Sequence, residues 1–333
     1  MKKNKKKVSN YKKFIVTGGL GFIGINLVEY LLKKKNCKVL CIDKATYASN
    51  KNIFQYNKNF IFKKIDICKT EQLKKVFTYF RPDCIFHLAA ETHVDNSITN
   101  SKVFIKSNIL GMYSLLNILK DYCEKSDKKI RFINVSTDEV YGSIKRGSFL
   151  ENDKFYPNSP YSASKASADM LARAWHKTFK LPIITTNCSN NFGPFQHKEK
   201  LIPKIINNLI KKKKIPVYGN GKNMRDWIYV YDHVRILYSL YLKGKLGETY
   251  NIGANCILSN VDILKKMIKI HNSLDKSKNT TFKNVVNFVE DRKAHDFRYA
   301  INTRKIDKLK LSKNNKKLDA SLELTYKWYI KNT

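Results

Sequence analysis

Apolar residues follow two alternating periods in the first half of the chain. Short apolar runs typical of buried strands occupy 14–16, 39–42, 60–62, 84–88, 131–136 and 182–187. Between these runs, apolar residues three or four positions apart predict helices over 21–34, 71–79, 104–123 and 162–179. Strands that alternate with amphipathic helices favour right-handed crossovers and helices on both faces of a sheet. The pattern therefore predicts an α/β fold with a doubly wound parallel sheet.

The pattern loosens after residue 190. Turn-forming stretches such as Tyr-Gly-Asn-Gly-Lys at 218–222 separate shorter periodic segments there. We expect a smaller, mostly C-terminal substrate-binding lobe that closes over a ligand crevice of the sheet. The predicted organisation is a Lys-rich tail at 1–12, a nucleotide-binding domain at 13–189 and the substrate lobe at 190–333. Some segments of the lobe are expected to return to the first domain.

Composition places the chain among ordinary globular proteins. Of its 333 residues, 43% are hydrophobic, which is enough for a sizeable core. No apolar run approaches the roughly eighteen residues of a membrane span, so we expect no membrane association. The seven cysteines form no C-x-x-C pair, which favours free thiols in a reducing cytoplasm. The seven histidines lack metal-binding spacings, so no metal site is predicted.

The formal net charge of +37 suggests nucleic-acid binding as an alternative function. The excess comes mostly from lysine and is spread along the whole chain, with runs such as 211–214. A nucleic-acid interface needs a basic patch on one face and a recognisable binding motif, and the sequence offers neither. We interpret the lysines as solvated side chains that reflect a compositional bias, and expect no specific nucleic-acid partner.

A glycine-rich turn marks a nucleotide site where the first strand meets the first helix. Gly18, Gly21 and Gly24 have the spacing G-x-x-G-x-x-G. Small residues let this turn tighten and let backbone N–H groups approach a pyrophosphate. Asp43 ends the second strand nineteen residues after Gly24, where its carboxylate would bind the adenosine ribose hydroxyls and repel a 2′-phosphate. These features predict a Rossmann-type domain that binds NAD rather than NADP.

Tyr161 and Lys165 are four residues apart and share one face of a predicted helix. A phenol has a pKa of about 10 and is a poor base at neutral pH. The neighbouring ammonium, together with the positive nicotinamide ring, is expected to lower that pKa. Tyr161 would then accept a proton from a substrate hydroxyl while hydride leaves the same carbon.

Two adjacent carboxylates at the end of the fifth strand indicate which reaction the site could catalyse. Thr137, Asp138 and Glu139 follow the apolar run 131–136, and ligands of such sheets bind beyond the carboxyl ends of the strands. Oxidation of a hexose C4 to a ketone acidifies the C5 proton, so that a base can remove it. With Glu139 as that base and Asp138 as the acid that protonates the C6 hydroxyl, water can leave. The acid pair favours dehydration over epimerisation.

These motifs resemble those of the extended short-chain dehydrogenase/reductase family. Two further segments support the resemblance, Asp66-Ile67 after the third strand and His87-Leu-Ala-Ala90 after the fourth. The resemblance implies a set of residues that contact NAD. They are Gly18, Gly21, Phe22, Ile23, Gly24, Asp43, Lys44, Thr46, Asp66, Ile67, Leu88, Ala89, Ala90, Ser107, Tyr161, Lys165 and Asn191.

Within that family the chain is similar to the dTDP-glucose 4,6-dehydratases over nearly its full length. The similarity rests on segments such as Ala90-Glu-Thr-His-Val-Asp-Asn-Ser97, Ser189-Asn-Asn-Phe-Gly-Pro-Phe-Gln196 and Arg225-Asp-Trp-Ile-Tyr-Val230. It implies conversion of dTDP-glucose to its 4-keto-6-deoxy sugar, on the route to deoxysugars such as rhamnose. It also implies a homodimer formed through the helices predicted at 104–123 and 162–179. UDP-glucose remains an alternative substrate, and a nucleotide-sugar epimerase or decarboxylase of the same fold remains an alternative enzyme.

The same resemblance implies a site for the nucleotide-diphosphate hexose. Bidentate guanidinium contacts from Arg225 or Arg292 would suit a diphosphate. Lys293-Ala294 departs from the family, where Pro-Gly is usual. The residues implied in substrate binding are Thr92, Thr137, Asn190, Lys200, Leu201, Pro216, Tyr218, Arg225, Asn260, Arg292 and His295.

Overall fold

A seven-stranded parallel sheet forms the centre of the structure. The computed structural model describes residues 11–332 except 51–53, 55, 127, 275–278, 292–294 and 314. The strands are β1 Lys12–Thr17, β2 Cys37–Asp43, β3 Phe60–Lys64, β4 Cys84–His87, β5 Arg131–Thr137, β6 Ile183–Cys188, β7 Asn190–Phe192, β8 Ile215–Tyr218, β9 Met224–Tyr229, β10 Thr249–Ile252, β11 Ile257–Ser259 and β12 Val286–Val289. The main sheet has the order β10-β6-β5-β4-β1-β2-β3, and its neighbouring strands all pair in parallel. The predicted doubly wound sheet is confirmed.

Helices cover both faces of this sheet. They are α1 Phe22–Leu32, α2 Thr70–Phe80, α3 Val94–Thr99, α4 Ser101–Phe104, α5 Gly111–Lys125, α6 Pro160–Phe179, α7 Leu201–Ile210, α8 Val230–Lys243, α9 Asn260–Leu274, α10 Phe282–Val285, α11 Arg304–Lys308 and α12 Leu318–Asn332. Helices α1 and α8 pack on one face, whereas α2, α5 and α6 pack on the other. Among the helices that the structure describes, none is long and apolar enough to cross a bilayer.

Each face of the main sheet packs in its own hydrophobic core, and this explains the continuous apolar runs of the strands. Successive side chains of a strand point to opposite faces, so Phe14 and Val16 enter the core under α1 and α8, while Ile15 enters the other. All three side chains are fully buried. A strand buried on both faces has no polar side, and its sequence therefore reads as an uninterrupted apolar run.

The C-terminal half forms a second, smaller core. Strands β11, β9 and β7 make one sheet and β12 and β8 another, with α7, α9 and α12 packed against them. Ile206, Trp227, Met267 and Tyr326 are buried in this core. Strand β10 instead joins the main sheet beside β6. The domain boundary placed between 189 and 190 remains a prediction.

The helix predicted at 104–123 is longer and less regular than expected. Helix α4 begins at Ser101, a π-helical turn spans Ile105–Leu110, and α5 continues to Lys125. Within the π turn, Asn108 accepts a hydrogen bond from the backbone N–H of Glu91 and donates to the Ser164 hydroxyl. A π turn inserts one residue into the helical repeat, and a count of apolar positions does not reveal it.

Candidate active site

The glycine turn brings three backbone segments into direct contact. Gly18 has a φ of +69°, and a Cβ on it would lie 2.7 Å from the Cα of Ala89. A Cβ on Gly24 would lie 2.1 Å from the carbonyl oxygen of Gly18. The start of α1 therefore packs directly on the backbone that follows β1, and that backbone packs directly on the segment after β4. Neither contact leaves room for a side chain. Among the described residues, no side chain caps this helix start at Gly21.

The Asp43 carboxylate connects the glycine turn to the loop that follows β2. One carboxylate oxygen accepts the backbone N–H of Leu20 at 3.1 Å. The other accepts the N–H of Ala45 at 2.8 Å and lies 3.4 Å from the Ser49 hydroxyl. The side chain is 9% exposed at the end of β2, so its carboxylate stands at the cleft edge where a ribose would lie.

The first two turns of α6 carry Tyr161 and Lys165 into the cleft. The helix starts with a capping box in which Ser159 and Ser162 bond each other's backbone N–H groups. Lys165 is buried, and its Nζ donates to the carbonyl oxygen of Val135 on β5 at 2.9 Å. This bond ties α6, which carries the predicted Tyr–Lys pair, to the strand that precedes the acid pair.

The environment of Tyr161 differs from the one expected. Burial raises the pKa of the Tyr161 phenol well above its ordinary value, and the charge of Glu139 raises it further, while a hydrogen bond with Thr137 acts in the opposite direction. The protein groups alone therefore do not lower this pKa, because the phenol is fully enclosed and faces a carboxylate. A phenolate here requires a further positive charge.

The two neighbouring acids have different surroundings. They begin a 3₁₀ turn, Asp138–Tyr141, whose N-cap is Thr137. Asp138 is 2% exposed, and its Oδ2 has no hydrogen-bond partner among the described residues. Burial raises the pKa of Asp138 well above its ordinary value, as do Glu139 and Asp226, against an opposing effect of Arg225. Asp138 therefore keeps a proton to donate, whereas Glu139 is only partly buried.

Thr137, Asp138, Glu139, Tyr161 and Lys165 thus line one cleft at the carboxyl edge of the sheet. A family model described as GDP-mannose 4,6 dehydratase matches residues 15–314 of the chain. The dTDP-glucose 4,6-dehydratase of Haemophilus influenzae is 41% identical over 331 residues, which cover 96% of this chain and 98% of that protein.

The chain belongs to the dTDP-glucose 4,6-dehydratase family. Two solved structures of dTDP-glucose 4,6-dehydratases have the same architecture. The Bacillus anthracis enzyme, in complex with NAD, is 40% identical, with a TM-score of 0.86 over 96% of this chain and 97% of that one. The Streptomyces venezuelae enzyme, with NAD and dTDP bound, is 36% identical, with a TM-score of 0.86 and the same coverage.

The residues predicted to contact NAD all line the same cleft as the catalytic residues. The uncapped start of α1 offers backbone N–H groups to an anion. Because Gly18 and Gly24 have no side chains, such a ligand can approach the backbone closely. Asp43 lies at the end of the cleft that is predicted to hold the adenosine. A dinucleotide therefore fits the groups present. The individual contacts remain predictions.

The residues predicted to bind substrate divide into two groups. Thr92, Thr137, Asn190 and Lys200 line the cleft. The others that the structure describes do not line it, and they lie in or beside the second core: Leu201, Pro216, Tyr218, Arg225, Asn260 and His295. Arg292 and Lys293-Ala294 lie outside the described residues. The substrate role of this second group remains a prediction.

Arg225 makes contacts that the sequence does not reveal. Its guanidinium donates to the carbonyl oxygens of Met224 at 2.8 Å and Asp296 at 2.9 Å. It also stacks over the ring of Tyr299, with 4.2 Å to the centroid. The guanidinium is therefore partly engaged by the chain itself, yet its charge still reaches Asp138.

The cleft also contains residues that sequence reasoning missed. Ser136, Cys188 and Ser189 lie at the ends of β5 and β6, and the strand-end rule used for Thr137 would have found them. At the cleft mouth, the Glu199 carboxylate lies 3.7 Å from the His93 ring and 3.3 Å from the His197 ring. This cluster joins two loops distant in sequence, and no local motif indicates it.

Gly24→Ala tests the close approach at the glycine turn. We expect it to lower the free energy of unfolding by about 2 kcal/mol and to abolish NAD binding, because the new methyl group overlaps the Gly18 carbonyl oxygen. Gly21→Ala is the matched control for stability, since its Cβ would lie at 3.3 Å from the same oxygen. Urea denaturation measures the stability of both variants, and calorimetric titration measures NAD binding by Gly24→Ala. Equal stability in the two variants, or wild-type NAD affinity in Gly24→Ala, would contradict the account.

Proposed function

We propose that this protein is an NAD-dependent hydro-lyase that converts dTDP-glucose to dTDP-4-keto-6-deoxyglucose and water. The observation that carries the proposal is the presence of an acid pair and a Tyr–Lys pair in one cleft. Relatives named for this reaction, at 36–41% identity, support dTDP-glucose as the substrate.

NAD⁺, held by the glycine turn and Asp43, would supply the acceptor for the C4 hydride and its return to C6, and its nicotinamide ring would add a positive charge to the cleft that contains the Tyr161 phenol. The chain's own groups move the protons. Tyr161 accepts the proton of the C4 hydroxyl, and Thr137 holds the resulting C4 oxygen. Lys165, fixed by Val135, supplies the neighbouring ammonium charge.

The acid pair carries out the elimination. Glu139 takes the C5 proton, which the C4 ketone has acidified. Asp138 donates its proton to the C6 hydroxyl, the C6–O bond breaks, and water leaves with the C5–C6 double bond formed. As hydride returns to C6, Glu139 gives its proton back to C5, and the proton that Tyr161 took from the C4 hydroxyl replaces the one that Asp138 lost with the water. Asp138 suits the acid role because burial and neighbouring carboxylates keep its pKa high.

Incubation of the purified protein with dTDP-glucose and, separately, with UDP-glucose tests the proposal. We expect a 4-keto-6-deoxy product from dTDP-glucose, identified by NMR and by the absorbance that the keto sugar develops in alkali. Faster turnover of UDP-glucose would reassign the nucleotide. A clean 4-epimer would instead show an epimerase and contradict the proposed reaction.

Two substitutions separate oxidation from elimination. Tyr161→Phe removes the base for the C4 hydroxyl and is expected to slow reduction of bound NAD⁺ by a factor of about 10²–10⁴. Glu139→Gln keeps that step but is expected to slow loss of water by a similar factor. Stopped-flow absorbance of the reduced nicotinamide and NMR of the product follow the two steps. Glu323→Gln, at a half-exposed position of α12 that does not line the cleft, is the control. Equal loss of both steps in Glu139→Gln would contradict the assigned roles.

A homodimer is the second part of the proposal. Helices α5 and α6 pack side by side, and large apolar side chains on this surface are exposed to solvent. They are Val103 at 38%, Ile105 at 50%, Leu110 at 53%, Tyr113 at 48%, Met170 at 48% and Phe179 at 40%. Val103 is on α4 and Ile105 and Leu110 are in the π turn that precedes α5, and exposed apolar side chains on neighbouring helices are typical of a protein interface. The two helices of each subunit would then form a four-helix contact about a two-fold axis.

Charge substitution tests the dimer. We expect the wild type to elute with twice the mass of one chain in size-exclusion chromatography with light scattering. Leu110→Glu combined with Met170→Glu should give a monomer, because each interface would bury four carboxylates. Leu242→Glu, at an equally exposed apolar position on α8, should leave the mass unchanged. A monomeric wild type would overturn this part of the proposal.

We infer a cytoplasmic setting from the state of the cysteine thiols. The seven cysteines are free, which suits the reducing cytoplasm where sugar nucleotides are made. We place the product on a route to deoxysugars such as rhamnose, because a 4-keto-6-deoxy hexose still needs epimerisation or reduction of its ketone.

A further inference from the structure

A third polar residue follows the Tyr–Lys pair along α6. Asp169 lies one helical turn beyond Lys165, which itself lies one turn beyond Tyr161. Asp169 is 3% exposed and faces the sheet rather than solvent. The proposed reaction gives it no direct step, since it does not line the cleft.

Two asparagines from neighbouring strands hold this carboxylate. Asn134 on β5 donates its Nδ2 to Asp169 Oδ1 at 2.7 Å. Asn187 on β6 donates its Nδ2 to Asp169 Oδ2 at 3.3 Å and to the carbonyl oxygen of Thr137 at 3.2 Å. The network therefore joins α6 to both strands and reaches the residue that precedes the acid pair.

Stability does not explain this network. Asn134 and Asn187 are fully buried, and their Oδ1 atoms have no partner among the described residues. A buried amide oxygen without a partner costs roughly 1–3 kcal/mol. Apolar side chains of similar size at all three positions, Asp169 included, would be neutral or stabilising.

Lys165 is the charged group next to Asp169. Burial lowers the pKa of Lys165, and the charge of Asp169 raises it again. Burial raises the pKa of Asp169 to about 6, against opposing effects of Lys165, of Ser136 and of both asparagines. At neutral pH, above that value, the Asp169 carboxylate is therefore ionised one helical turn from Lys165.

Other titratable groups face this pair from neighbouring elements. They are His87 of β4, Cys188 of β6 and Tyr141 of the 3₁₀ turn. Burial lowers the pKa of His87 to about 3 and raises that of Cys188 to about 12. It also raises the pKa of Tyr141. All three are neutral near pH 7, so Asp169 supplies the negative charge that Lys165 feels.

We propose that Asp169 is a positioning residue whose carboxylate, held by Asn134 and Asn187, keeps the Lys165 ammonium protonated beside Tyr161. The inference rests on the proposed function, because the ammonium matters only if Tyr161 takes up the C4 hydroxyl proton. Without the carboxylate, the buried lysine loses its proton at a lower pH, and its charge no longer assists the phenol.

Asp169→Asn tests the inference with little change in shape. Asn134 and Asn187 can each rotate their amides so that a free Oδ1 accepts from the new amide group. We expect the pH profile for reduction of bound NAD⁺ by dTDP-glucose to move to lower pH. Its rate falls about tenfold at alkaline pH for each unit by which the Lys165 pKa drops, and approaches the wild-type rate near pH 6.

Asn187→Ala is the matched control. It removes one of the hydrogen bonds that hold the carboxylate but keeps the carboxylate charge, so its alkaline limb is expected to shift much less than that of Asp169→Asn. Should Asp169→Asn fail to fold, Asp169→Ser, which is smaller and admits water, replaces it with the same expected shift. A loss of rate that is equal at every pH, or an equal alkaline shift in Asn187→Ala, would overturn the inference.

A second readout needs no substrate. The folded-state pKa of Asp169 is raised from its ordinary 3.8 to about 6, so its contribution to stability is full below pH 3.8 and is lost as pH rises to about 6. The difference in urea midpoint between wild type and Asp169→Asn should follow that curve, and a flat difference would contradict it. A wild type that does not react with dTDP-glucose defeats the proposed function, whereas an active wild type with an unshifted variant defeats only this inference.

Discussion

The packing of α6 against β5 is the constraint on which the active site depends. The bond from Lys165 to the Val135 carbonyl oxygen fixes the helix along the strand, and the bond from Asn134 to Asp169 repeats that attachment one turn later. With both in place, a phenol on the helix faces the turn that follows the strand.

Around this attachment the fold separates the two proton-transfer tasks by environment. The phenol and the first carboxylate are enclosed and hold their protons tightly, whereas the second carboxylate meets the open cleft. In the proposed reaction, a carboxyl group can therefore serve as the acid at Asp138 and as the base at Glu139. The enclosure of Tyr161 also means that the protein alone does not make the phenolate. In the proposed reaction, oxidation then depends on the bound cofactor.

Local sequence patterns predicted the parts of the site that are built locally. The glycine spacing, the strand-end acids and the i, i+4 pair on α6 depend on a few neighbouring residues, and the parallel, doubly wound sheet follows from general crossover rules. The π turn around Asn108, the carbonyl contacts of Arg225 and the Asn134–Asp169–Asn187 network depend instead on which strands become neighbours. Polar residues in otherwise apolar strands were the available signal for that network. The same limit explains why a fall in the Tyr161 pKa was expected from the sequence. That expectation rested on neighbouring charges and did not include the effect of burial.

Deuterium placed at C4 of dTDP-glucose tests the central claim most directly, because it asks whether oxidation, elimination and reduction occur on one hexose ring within one cleft. The account predicts that the label leaves C4 and is found at C6 of the 4-keto-6-deoxy product. In a mixture of labelled and unlabelled substrates that differ elsewhere in isotopic mass, it should stay within each molecule. Label retained at C4, lost to water or exchanged between molecules would contradict the account.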